Sequence, residues 1–116
     1  METTYEKESK RLIGLLQRLE QWFRGEKLYE EITVDGFRWN FHSGHFELQG
    51  HDQKWHRAIN ARKPDVMIEC AEKIPAMHER ARKVKEIQIN RIMLAANSLE
   101  TYLVELGKDA DLSGPL

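Results

Sequence analysis

A chain of 116 residues, 41% hydrophobic and 32% charged, suits one folded domain with a modest core and excludes a disordered chain. A formal net charge of -1 excludes a global field that gathers nucleic acid or an anionic membrane, so any binding patch must be local. The single cysteine, Cys70, excludes an internal disulfide, and no apolar run approaches the ~20 residues that cross a bilayer.

The N-terminal stretch METTYEKESKRLIGLL lacks the basic-then-apolar order of a signal peptide, so a cytoplasmic location without membrane contact is expected. Thr3 and Glu6 have capping-box spacing, and Leu12, Leu16, Leu19 and Phe23 then recur at helical spacing. This predicts a helix over residues 3–24, closed by a left-handed cap at Gly25.

From residue 28 to 49 the hydrophobic period changes from about 3.6 to 2. Asp35-Gly36 is a two-residue hairpin signal, because a type I′ turn needs positive φ at both positions. Ser43-Gly44 is a second signal of that kind. Two-residue turns at both sites pair Ile32 with Trp39, Val34 with Phe37, Phe41 with Phe46, and Trp39 with Leu48. Both registers put Ile32, Val34, Phe37, Trp39, Phe41, Phe46 and Leu48 on one face, which predicts a three-stranded antiparallel meander. The opposite face carries Arg38, Asn40, His42, His45, Glu47 and Gln49.

Short helical segments are expected next. Asp52 is placed as the cap of one that carries Trp55, Ala58 and Ile59 into the core and ends near Arg62, before Pro64. Residues 65–73 supply another turn or two, and Pro75 fits the first turn of a new helix. That helix runs to about Leu106 on the stripe Met77, Ala81, Val84, Ile92, Ala95, Leu99, Leu103 and Leu106. At ~1.5 Å per residue it is on the order of 45 to 50 Å long, beyond the ~35 Å diameter of a compact domain of this size. The fold class expected is therefore α+β, with a single domain over 1–107 and a flexible tail over 108–116.

The second half of the long helix is apolar on nearly every side, since Ile87, Met93, Leu94 and Val104 lie off the main stripe. Such a helix is buried all round, either by a kink near Asn90 that folds it back or by another chain. Self-association as a homodimer through Ile87, Gln88, Ile92, Leu94, Leu99, Leu103 and Leu106 is the expectation. Gln88, a polar residue in an apolar stripe, is the candidate for fixing register.

Chemistry-bearing patterns are sparse. His42, His45, His51 and His56 crowd one region, but only two are placed close by the sheet, and neither HExxH nor a cysteine pair accompanies them. Ser43 between histidines sits in a tight turn that aims its neighbours apart, Glu30 and Glu31 fall on opposite strand faces, and Cys70 lies in an apolar run. Neither an enzyme nor a metal or cofactor site is expected. The segment KWHRAINARK is free of acids and offers cations to phosphate. The reading is a small non-enzymatic protein that binds a protein partner, as an inhibitor, adaptor or accessory factor of bacterial or phage type. The alternative is a nucleic-acid-binding module. Contact residues under either are Arg38, Asn40, His42, His45, Lys54, Arg57, Arg62 and Lys63.

Overall fold

The computed structural model describes residues 1–109. In chain order it contains α1 (Thr4–Gly25), β1 (Ile32–Val34), β2 (Phe37–Asn40), β3 (His45–Gln49), β4 (Trp55–Arg57), a 3-10 turn (Ala58–Ala61) and α2 (Pro64–Asp109). The fold is α+β as expected, with four strands in place of three. The chain divides into a unit over Met1–Val84 and a second unit from Lys85 onward.

The hydroxyl of Thr3 accepts the Glu6 amide at 3.1 Å and starts α1 as the capping-box spacing requires. The expected cap at Gly25 is not what ends it. Gly25 is the last helical residue, Glu26 follows in right-handed geometry, and Lys27 takes the positive φ of 51°.

The four strands form one antiparallel sheet in the order β1-β2-β3-β4. The first hairpin has the expected register, Ile32 opposite Trp39 and Val34 opposite Phe37, with positive φ at Asp35 and Gly36. The second does not. Asn40 pairs with His45, Trp39 with Phe46 and Phe37 with Leu48, so the connection is the four residues 41–44. Asn40 is the cause. Its side-chain oxygen accepts the amides of His42 and Ser43, and its carbonyl accepts that of Gly44, which closes a longer turn. Gly44 has a φ of +74° with the Arg24 side chain against it, where a Cβ would stand 2.7 Å from Cδ. The register differs from the expected one by two residues, an even number, so the residues that remain in the strands keep their faces. Ile32, Val34, Phe37, Trp39 and Phe46 are buried, while Phe41 falls in the turn, partly buried.

Residues 50–62 correct the expected short helix. The Asp52 carboxylate accepts the Lys54 amide at 3.0 Å, Gly50 donates to the Lys54 carbonyl, and Gln53 takes a φ of 65°. Asp52 thus builds a hairpin turn where a helix cap was expected, and Trp55–Arg57 become a fourth strand against Gln49–Glu47. Trp55 is accordingly only partly buried. Ala58 and Ile59, in the 3-10 turn, do enter the core.

Pro75 is the other correction. α2 begins at Pro64, continues through Pro75 and Asn90 as one helix, and passes Gly107 to Asp109, the last described residue. An interior proline removes one helical hydrogen bond and costs about 3 kcal/mol. Against that, Met67, Cys70, Ile74, Met77 and Ala81 alternate at spacings of three and four across Pro75, and all five are buried. Breaking the helix would interrupt that stripe. Of the tail expected over 108–116, Lys108 and Asp109 are helical and residues 110–116 lie outside the described residues.

Within the first unit, α1 supplies Leu16 and Phe23, the sheet its apolar face, and α2 its first stripe to a single core. The Phe23, Trp39 and Phe46 rings meet one another at centroid distances of 5.1 to 5.2 Å.

Candidate functional site

The polar sheet face is largely occupied by its own bonds. Arg38 donates from Nε to Glu47 at 2.8 Å and from its terminal nitrogen to Glu31 at 2.7 Å. Its guanidinium lies 4.1 Å from the centroid of the Trp55 ring. Asn40 donates to the same Glu47 oxygen at 3.0 Å. Two of the predicted contact residues, Arg38 and Asn40, therefore hold the sheet together. His42 is exposed and lies against Phe41, with ring centroids 3.9 Å apart.

A buried acid lies under one end of the sheet. Glu20 of α1 is fully buried, accepts the Phe46 amide at 3.0 Å and takes the guanidinium of Arg57. The Nδ1 of His45 stands 3.6 Å from the same carboxylate without a hydrogen bond. Two more predicted contact residues, Arg57 and His45, are thus drawn inward. Neither ion was assigned as a pair from the sequence. A signal existed: Glu20 sits four residues after Leu16 and three before Phe23, on the apolar stripe itself. A carboxylate there is buried and needs a cation, and Arg57 lies 37 residues away, beyond any local pattern.

A cleft of about 570 Å³ opens between the β3–β4 turn and the start of α2, lined among others by Gly50, His51, His56, Arg57, Asn60 and Lys63. The Asp52 carboxyl is held below the usual carboxylate value, first by the Lys54 amide and then by His56, whose Nε2 is 3.0 Å away. Of the predicted cations, Arg57 and Lys63 share this cleft. Arg62, in left-handed backbone geometry, lines a different recess beside Tyr5 and Lys10, and Lys54 is exposed. Among the described residues no group of three or more His, Cys, Asp or Glu stands close enough to hold a metal ion. Cys70 is fully buried, and burial, with Glu20 nearby, pushes its thiol up to about 12.

The second unit differs in kind. Ile87, Ile89, Ile92, Met93, Leu94 and Leu99 are between 47% and 67% exposed, and Tyr102, Leu103 and Val104 are exposed too. Gln88 and Leu106 are partly buried, and the Gln88 side-chain oxygen is buried without a hydrogen-bond partner. No helix among the described residues is long and apolar enough to cross a membrane.

No family model matches the chain, and no curated protein or solved structure matches it. All seven predicted self-association residues lie on α2, with Gln88, Ile92, Leu99, Leu103 and Leu106 on one side of it and Ile87 and Leu94 on the other, whereas the predicted sheet and loop contacts divide among an internal network, a buried ion pair, a cleft and a separate recess.

Proposed function

We propose that this is a non-enzymatic cytoplasmic protein that self-associates through residues 87–106 of α2 and acts by binding a macromolecule, as an inhibitor, adaptor or accessory factor. The observation that carries the reading is the concentration of exposed aliphatic side chains between Ile87 and Val104. Contiguous apolar surface of this kind marks interaction sites. Each such side chain that goes from about half exposed to buried is worth on the order of 1 kcal/mol, and several from each copy together meet an association cost of roughly 4–15 kcal/mol. Light scattering across a concentration series tests it. The full chain is expected to give a mass of more than one copy, and Leu99→Asp to give a monomer; a wild-type monomer at high concentration rejects the reading.

One observation favours a nucleic-acid-binding alternative: Lys63, Arg57, His51 and Asn60 line a common cleft. Phosphate contacts by these groups would give a mobility shift that weakens steeply with salt and again with Lys63→Ala. Arg57 is a poor probe, because its charge belongs to Glu20.

A further inference from the structure

The spacing of the exposed residues specifies how two copies meet. Ile89, Ile92, Ala96, Leu99, Leu103 and Leu106 alternate at intervals of three and four residues, the seam of a two-helix interface. All six belong to one uninterrupted helix, and the first five are exposed to solvent. A parallel, in-register pairing sets Ala96 on Ala96 and leaves a gap in the middle of the seam. An antiparallel pairing avoids this, because the seam reads the same in both directions. Ile89 then faces Leu106 of the second copy, Ile92 faces Leu103, and Ala96 faces Leu99. Small residues meet large ones, which fills the central layers to ordinary packing density.

One flanking feature points the same way. Tyr102, 60% exposed, comes alongside Ala95 of the second copy and covers the space that its small side chain leaves.

We propose that two copies of this chain pair antiparallel through α2, centred between Ala96 and Leu99. This rests on the self-association reading above and adds orientation and register to it. The test uses full-length Ile92→Cys and Leu103→Cys chains, one carrying a size tag, mixed and oxidised. Both substitutions lie on exposed positions, and the natural Cys70 is buried, so it does not compete. The expected product is the crossed disulfide, which joins an Ile92→Cys chain to a Leu103→Cys chain. The two copies of Ile92 in an antiparallel pair are offset by 11 residues, about 16 Å along the axis, too far for a disulfide between them. Homodisulfides within each variant alone overturn the antiparallel assignment while leaving self-association standing. A wild-type monomer by light scattering overturns self-association itself.

Discussion

Two stretches of the same helix carry the same pattern and meet opposite fates. Met67, Cys70, Ile74, Met77 and Ala81 are buried, at most 7% exposed. Past Val84, Ile92, Leu99 and Leu103 follow at the same helical spacing, yet they are 44% to 67% exposed. Neither composition nor periodicity distinguishes them. What differs is whether the chain supplies a covering surface: the first stretch shares a core with Leu16, Phe23, Trp39 and Phe46. Helical periodicity specifies a face, and only the rest of the fold determines whether that face is already occupied.

The largest effect expected from a single substitution falls on the first unit. Arg57→Ala leaves the buried Glu20 side chain without its cation, and should cost about 3–5 kcal/mol in denaturant unfolding. Replacing both partners with leucine should cost less than either single removal. If Arg57→Ala proves silent, the Glu20 pair is not holding the first unit together.

The comparison itself is broken or sharpened by two matched truncations. Met77→Ala should lower stability by about 2–5 kcal/mol, since its side chain is fully buried. Leu99→Ala should change the unfolding free energy of the dilute chain by no more than about 0.5 kcal/mol, while weakening self-association at high concentration. Equal losses in dilute solution would mean that the two stretches are not different after all.

A further effect appears only in alkali. The Cys70 thiol ionises near 9 when the chain is unfolded and near 12 when folded, so between these values the unfolded chain binds fewer protons. Its contribution is complete below pH 9 and is lost as pH rises toward 12, at up to about 1.4 kcal/mol per unit. The gap in stability between wild type and Cys70→Ala should therefore narrow over that range, as measured by urea unfolding at each pH. A constant gap would show that the thiol is not shielded by the core.

Much of the fold was legible locally. The Thr3 cap, the Asp35-Gly36 turn and the alternation of β1 and β2 each depend on residues within a few positions of one another. The second hairpin shows the limit. Ser43-Gly44 carried a turn signal, but the Asn40 side chain capped a longer loop, and only the even shift preserved the faces. Asp52 shows another, because one carboxylate can start a helix or tie a hairpin turn, and the availability of the β3 edge decided it. For the candidate sites, the apolar run of α2 was visible as spacing and Glu20 as an acid on the α1 stripe, whereas its partner Arg57, 37 residues away, had no local signature.

The sequence by itself determined the α+β class, the buried face of the sheet and the helical stripe through α2, because side-chain alternation and helical spacing are properties of neighbouring residues. Tertiary structure alone decided that Trp55–Arg57 would be a strand, that Pro75 would sit inside a helix, and that Arg38 and Arg57 would be used internally. Each of those outcomes weighs a local preference against contacts with distant residues, and a cost of a few kcal/mol is accepted where burial of a continuous stripe or a paired charge exceeds it.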